Sequence, residues 1–198
     1  ALAALSKKID LPIFLADLSS NGSAEAWRGA ASVWTHHENM QQHREQCMAG
    51  LAAGLNQEGP CAVAVAHKLC SVFRDTSQVA IPTALIQRFF ALLEVEDESA
   101  RSDVYGFAAW LNTYTSRDPM SALGALEAYL NYVRKTSPFL YDHDNNLMQI
   151  LTRLFAQAEE QEDSDDGAML QRVVAAQDEL LASGVHAVND WLKAAERT

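Results

Sequence analysis

Apolar residues recur every three to four positions along almost the whole chain, which is the spacing of amphipathic helices. The pattern predicts helices over about residues 11–18, 23–36, 38–55, 61–74, 82–93, 104–111, 119–133, 147–158, 170–181 and 188–192. No stretch of convincing length between turn signals alternates apolar and polar residues as a half-buried strand does. The sequence therefore predicts an all-α fold of about nine to eleven helices.

Helix-capping residues stand at several of the predicted boundaries. Ser23 and Asp118 are expected N-caps, and Ser99 or Ser102 is expected to cap the helix that contains Phe107. Pro82 and Pro119 stand at first-turn positions, where a missing N–H costs nothing. The Ser183–Gly184 pair is a typical C-terminal stop.

Two of the predicted helices carry information about burial. Residues 61–74 are apolar almost all round, so this helix is expected to lie between neighbouring helices. The segment that follows Asn146 has the cleanest apolar stripe in the chain, formed by Leu147, Ile150, Leu151, Leu154 and Phe155. A stripe of this width is expected to pack against other helices.

The predicted helices fall into pairs that start near residues 23, 60, 99 and either 119 or 144. Spacings near 40 residues are similar to those of the HEAT and armadillo helical-hairpin repeats. This resemblance implies an α-solenoid-like stack of antiparallel hairpins, each buried against its neighbours. A compact orthogonal helix bundle would give the same list of helices, so both arrangements remain open within a single all-helical domain over residues 1–198.

The ends of the chain suggest a piece of a longer protein. It opens with ALAALSKK, without an initiator methionine and already with a helical pattern. The last third, from SALGALEAYL to DWLKAAER, resembles the C-terminal helical region of large bacterial multidomain signalling or defence proteins. That resemblance implies a sensor or scaffold region, with catalysis elsewhere in the full-length protein.

Charge and cysteine content narrow the classes of function. Fifteen basic and 26 acidic residues give a net charge of -11, which disfavours binding to a nucleic acid backbone. No apolar run approaches the roughly 20 residues of a membrane span. Three cysteines without a C-x-x-C pair fit a reducing, cytoplasmic compartment.

The densest cluster of reactive side chains is VWTHHENMQQHREQC, at residues 33–47. On one continuous helix, His36, Met40, His43 and Cys47 would share a face. His36 and Cys47 would then lie about 16 Å apart, which is too far for all four side chains to bind one ion. Only His43 with Cys47, or His36 with Met40, would then reach a common metal ion. The polar character of the run instead favours a turn followed by the solvated start of a helix.

A second metal hypothesis concerns His143 and Asp144. All-helical phosphohydrolases of the HD family use such an adjacent pair, and His67 and Asp190 would complete the order of ligands. That family places the pair inside an apolar helix, whereas here it lies in the polar turn YDHDNN, where Asp144 is better placed as a helix cap. A calcium loop starting at Asp142 is also excluded, because Leu147 stands where such a loop requires glycine.

The remaining candidates are expected to be structural. Cys61 and Cys70 are predicted to be buried, inert thiols, and His67 a boundary residue with one satisfied hydrogen bond. The sequence therefore assigns no catalytic, cofactor-binding or metal-binding residue, and we expect no stoichiometric zinc or iron.

The preferred function is a non-catalytic interaction or scaffold module of a larger cytosolic protein. Its partner would be another protein or an adjacent domain of the same chain, with a basic surface to complement the acidic chain. The alternatives are a metal-dependent HD-like hydrolase that uses His143 and Asp144, and a small-ligand sensor with a pocket between helices.

Overall fold

The computed structural model describes residues 1–74, 80–94, 104, 106–136, 142, 145–160 and 167–183. Within these ranges there are eleven helices and no strand, which confirms the all-α prediction. Contacts divide the chain into two compact units, Ala1–Phe107 and Ala108–Thr198. The assignment of one domain stays a prediction, as does the choice between a solenoid-like stack and a compact bundle.

The first unit contains seven helices: α1 Leu2–Leu5, α2 Leu11–Asn21, α3 Ala24–Trp34, α4 His37–Gln42, α5 Arg44–Leu55, α6 Pro60–Arg74 and α7 Thr83–Leu93. Helices α3, α5 and α6 pack against one another and form its centre. The predicted burial of α6 is confirmed, with eight of its side chains inaccessible to solvent. Helix α7 covers α5 and α6, and α2 lies on α5.

Small residues on α5 allow its close approach to α3 and α6. A β carbon built at Gly50 would lie 2.4 Å from the indole of Trp34, and one built at Gly54 would lie 2.7 Å from Val65. Trp27 and Trp34 of α3 are both buried, with ring centroids 6.2 Å apart. Glycine at these two positions lets the helix axes approach closely enough for the indoles to fill the space between them.

Helix α8, Phe107–Thr115, begins at the last residue of the first unit and otherwise belongs to the second, which also contains α9 Pro119–Thr136, α10 Asn146–Glu160 and α11 Ala168–Ala182. Helix α10 packs against both α9 and α11, and α9 also contacts α11. The predicted apolar stripe of α10 is buried, with Leu147, Ile150, Leu151 and Leu154 fully inaccessible and Phe155 half-buried.

Two ion pairs connect α9 with α11. The Arg172 guanidinium donates from Nε and Nη2 to the two carboxylate oxygens of Glu127, each at 2.8 Å. Seven residues further along both helices, Arg134 Nε lies 3.5 Å from Glu179 Oε1. Because both pairs join residues 45 positions apart, α9 and α11 run in the same direction.

Most predicted caps are confirmed. The Ser23 hydroxyl accepts from the amide of Ala26, and Asp118 accepts from the amide of Ser121. Pro82 stands at the N-cap of α7, one position before the helix, and Ser183 is the C-cap of α11. The predicted caps Ser99 and Ser102 and the predicted helix over 188–192 lie outside the described residues.

One predicted helix is wrong as a continuous element. The segment 38–55 is interrupted at His43, whose backbone angles of φ -134° and ψ 38° end α4 and begin α5. A residue in this conformation cannot continue the helical hydrogen-bond ladder, because its ψ lies far from the α-helical value.

Candidate functional site

The histidine-rich stretch does not form the helical face on which the metal hypothesis depended. His36 is the exposed N-cap of α4, His37 is exposed, and His43 is half-buried at the break before α5. Because α4 and α5 are separate helices, the helical spacing from His36 to Cys47 is lost. His37 Nε2 instead lies 3.0 Å from Gln41 Nε2 on the solvent side of α4.

The two buried side chains of this stretch have structural contacts. Met40 and Cys47 are 2% and 0% exposed. The Cys47 thiol donates to the carbonyl of Asn39 at 3.5 Å, and Asn39 Nδ2 donates to the carbonyl of Val33 at 2.8 Å. Burial raises the pKa of the Cys47 thiol to about 11, which disfavours the thiolate that a metal would need. These contacts close the turn between α3 and α5.

The turn before α10 contains an aspartate that forms hydrogen bonds with the first amides of the helix. Asp142 Oδ1 accepts from the amide of Leu147 at 2.9 Å, and Asp142 Oδ2 accepts from the amide of Met148 at 3.1 Å. Asp142 thus caps α10, in the role that was predicted for Asp144. His143, Asp144 and Asp190, the core of the hydrolase hypothesis, lie outside the described residues.

The carboxylate of Asp142 also influences the pKa of Tyr129, a residue of α9. Burial raises the pKa of Tyr129 well above its usual value, and the negative charge of Asp142 and the neighbouring Tyr132 raise it further. Tyr129 therefore stays a neutral phenol at any physiological pH. Within the described part of the chain, no group of three or more histidine, cysteine, aspartate or glutamate residues is placed to hold a metal ion.

The remaining sequence candidates lie on α6. Cys70 is buried, as predicted, and its thiol donates to the carbonyl of Ala66. Cys61 is only half-buried, so the prediction that it is a buried thiol is wrong. The predicted satisfied hydrogen bond of His67 is not found at Nε2, which is buried and has no partner among the described residues.

A polar network that was not predicted from the sequence joins α8 to α10. Asn112 Nδ2 donates to Asn146 Oδ1 and to Gln149 Oε1, at 2.9 and 3.0 Å. Arg153 Nη1 donates to both the carbonyl and the side-chain oxygen of Asn112, each at 2.6 Å. These groups satisfy one another, which indicates a structural role in holding the two helices together.

The least expected feature is a group of exposed apolar side chains at the start of the chain. Leu2, Ile9 and Ile13 are 63%, 45% and 67% exposed, and we call them the N-terminal face. Elsewhere in the described residues only Met120 and Val174 are large apolar side chains of comparable exposure, at 43% and 41%. This face was not predicted, although the run LPIFL has more apolar residues than one buried side of α2 can use.

The turn between α1 and α2 fixes the backbone of this face. The amides of Lys7 and Lys8 donate to the carbonyls of Ala4 and Ala3, at 3.2 and 2.9 Å, which closes the end of α1 as a Schellman motif. Lys7 adopts a left-handed φ of 58° there, a position usually taken by glycine. Both lysine side chains are exposed beside Ile9.

Helix α2 buries one side and exposes the other. Leu18 is 8% exposed, and the Phe14 ring meets the indole of Trp34 edge to face, with centroids 6.5 Å apart. At 100° per residue, Ile13 lies on the opposite side, together with exposed Ala16, Asp17 and Ser20. The N-terminal face is therefore an outward surface that the described part of this chain leaves uncovered.

None of the described helices has both the length and the apolar composition that crossing a membrane requires. No protein-family model matches the chain, and comparisons with curated proteins and with solved structures found no match.

Proposed function

We propose that this chain is a non-catalytic protein-interaction module of a larger cytosolic protein, and that it docks through the N-terminal face. The exposure of Leu2, Ile9 and Ile13 within the first thirteen residues carries this proposal. Large apolar side chains exposed to water are typical of contact surfaces, because covering them removes apolar area from solvent.

The arrangement of polar groups supports a structural interpretation of the rest of the described chain. The carboxylate of Asp142 is engaged by backbone amides, the Cys47 thiol is buried, and Asn112 and Arg153 satisfy each other. Each of these candidate chemical groups therefore has a role in holding helices together. The hydrolase and sensor alternatives have no comparable observation in their favour.

The net charge of the chain indicates which kind of partner surface it favours. The net charge of -11 favours a partner that presents basic groups and would speed its encounter. Docking to another protein or to an adjacent domain of the same chain fits this interaction function, whereas nucleic acid does not.

Site-specific photocrosslinking tests the proposed face. A benzoylphenylalanine placed at Ile13 of the full-length protein in its native cells is expected to crosslink to protein, whereas the same group at Gln87, on the exposed side of α7, is not. The crosslinked peptides identify either a second chain or another domain. Equal crosslinking from both positions, or none from Ile13, would contradict the proposal.

A further inference from the structure

We infer that Asn21 and Gly22, at the end of α2, form a site of spontaneous deamidation whose rate is controlled by the last turn of that helix. The reaction needs only water, and it converts a neutral amide into a carboxylate. The inference does not depend on the proposed interaction function. It is carried by the Asn–Gly pair together with two hydrogen bonds that engage its reacting groups.

The sequence makes this pair chemically distinct. Asn21 is the only asparagine of the chain that is followed by glycine. Asparagine is a labile residue, because its side-chain carbonyl carbon can be attacked by the backbone nitrogen of the next residue. A glycine at that place has no β carbon to hinder the approach. Asn21 is also exposed, so water reaches the product of this attack.

The reaction proceeds in two steps. The backbone nitrogen of Gly22 loses its proton to solvent and forms a bond to Cγ of Asn21, and the bond from Cγ to Nδ2 breaks. The side-chain nitrogen takes up a proton and leaves as ammonia, so that a succinimide ring remains. Water then adds to one of the two ring carbonyls, and the ring opens to aspartate or to isoaspartate. No oxidant or metal takes part.

In the folded protein both reacting groups are engaged in hydrogen bonds. Asn21 Nδ2 donates to Asp17 Oδ1 at 2.9 Å, which holds the side-chain amide back along α2. The amide of Gly22 donates to the carbonyl of Leu18 at 2.8 Å. The nucleophile and the carbon that it attacks therefore meet only after the last turn of α2 opens. Helix ends do open, since terminal residues fray at little cost in free energy.

The packing at the end of α2 requires glycine at position 22. A β carbon there would lie 2.3 Å from the carbonyl oxygen of Leu18 and 2.7 Å from its Cδ1. The carbonyl of Gly22 also accepts from the thiol of Cys61, at 3.9 Å. A larger residue, which would slow ring closure, therefore does not fit at this turn.

Deamidation places a negative charge where α2 is least able to accept it. A carboxylate at position 21 would stand one turn from Asp17, and like charges four residues apart destabilise a helix. Both charges would lie at the C-terminal end of α2, where the helix dipole disfavours anions. The hydrogen bond from Asn21 Nδ2 to Asp17 is lost in the same reaction. The product should therefore have a more open last turn, beside the contact of Gln57 Nε2 with Ser19 Oγ at 3.2 Å.

Peptide mapping by mass spectrometry tests the inference on the folded chain during incubation at mildly alkaline pH. Asn21 is expected to be converted to a mixture of aspartate and isoaspartate. Asn56 is the matched internal control, since it is exposed, is the C-cap of α5 and precedes Gln57 instead of a glycine. It should remain unmodified while Asn21 reacts. In guanidinium chloride, Asn21 of the same chain should react faster than in the folded state.

Two substitutions of Asp17 separate its hydrogen bond from its charge. Asp17→Ala removes the acceptor of Asn21 Nδ2 and should speed deamidation about two- to fivefold, which corresponds to about 0.5–1 kcal/mol for one hydrogen bond. Asp17→Asn keeps an acceptor oxygen and removes the charge, so its rate should stay close to that of wild type. Removing a negative charge from a helix C-terminus strengthens the helix, so helix stability alone predicts slower deamidation in both variants.

Hydrogen exchange measures the consequence of the reaction. In Asn21→Asp, the amides at the end of α2 should exchange faster than in wild type, whereas those of α10 should not change. Three results would overturn the inference: Asn21 that reacts no faster than Asn56 in the folded chain, equal rates in the folded and denatured chains, or Asp17→Ala at the wild-type rate. If Asp17→Asn reacts as fast as Asp17→Ala, the charge of Asp17 controls the rate and the role assigned to its hydrogen bond is wrong.

Discussion

Gly50 of α5 lies directly beneath the indole of Trp34, so that a β carbon on Gly50 would lie 2.4 Å from ring carbon Cε2 and 2.6 Å from Cδ2. Real β carbons do not approach ring atoms this closely, and Trp34 is itself fully buried. The distance between α3 and α5 is therefore set by the absence of a side chain at residue 50.

Gly50→Ala should destabilise the protein by about 1–3 kcal/mol, because the added methyl group must displace a buried ring. Gly29→Ala is the matched control, since a β carbon at Gly29 of α3 meets no atom within 4 Å. That change should stabilise the protein by about 0.5–1 kcal/mol, as alanine favours the helix. Urea denaturation measures both; equal effects of the two substitutions would show that the α3–α5 contact is looser than described.

The apolar stripe of α10 gives a second stability test. Leu151→Ala and Leu154→Ala should each cost about 2–5 kcal/mol, since both side chains are fully buried. Glu159→Ala, at the exposed end of the same helix, should change the free energy of unfolding by no more than about 0.5 kcal/mol. Leucine variants as stable as wild type in denaturant melts would contradict the packing of α10.

Asp118 links the stability of α9 to pH. Hydrogen bonds from the side chain and backbone of Ser121, and from the hydroxyl of Tyr114, hold the pKa of Asp118 below its ordinary value of 3.8. A lowered pKa in the folded protein contributes stability above pH 3.8 that is lost as the pH falls through the folded-state pKa.

Asp118→Ala should therefore cost about 0.5–2 kcal/mol at pH 7, the usual range for loss of an N-cap. The difference from wild type should shrink as the pH is lowered below about 4. Chemical denaturation at several pH values measures it. A difference that stays constant from about pH 7 to about pH 2.5 would show that the charge of Asp118 does not contribute.

The three cysteines should differ in reactivity. Cys61 is half-buried, whereas Cys47 and Cys70 are buried, and the pKa of Cys47 is raised to about 11. Alkylation by iodoacetamide at about pH 8, followed by mass spectrometry, should modify Cys61 first, since thiolate formation and access both control the rate. In denaturant all three should react at similar rates; early modification of Cys47 in the folded protein would contradict its burial.

Elemental analysis addresses the hydrolase alternative. Protein purified without chelators is expected to contain no stoichiometric zinc or iron, because the sequence offers no complete set of ligands. One equivalent of metal that is lost in His143→Ala would reverse the ranking of the proposed functions. A His37→Ala variant, altered at an exposed histidine of α4, is the control for non-specific binding to surface imidazoles.

Helix positions and several caps could be predicted because they depend on local chemistry. The Ser23 and Asp118 side chains bond to amides three residues away, and the buried leucines of α10 repeat with the helical period. The break at His43 carries no proline or glycine signal, so the polar run around it indicates a turn but not the residue at which the helix ends.

Other features required the positions of distant residues. In the run AGLAAGL, Gly50 is one of several small residues, and only the structure shows that it lies against the indole of Trp34. The sequence predicted Asp144 as the cap of α10, and only the positions of the Leu147 and Met148 amides show that Asp142 bonds to them. The run LPIFL is apolar on every side, so the outward direction of Ile13 follows from the packing of Phe14 and Leu18.

The two ion pairs between α9 and α11 also determine which alignments of these helices are unfavourable. Glu127 meets Arg172 while Arg134 meets Glu179, so the order of charges is reversed between the two pairs. Sliding one helix by seven residues would set Glu127 against Glu179 in one direction and Arg134 against Arg172 in the other. Both pairs are partly exposed, so each adds little stability. Their larger effect is on the register of the two parallel helices. In the observed alignment opposite charges meet, whereas a shift of two turns in either direction brings like charges together.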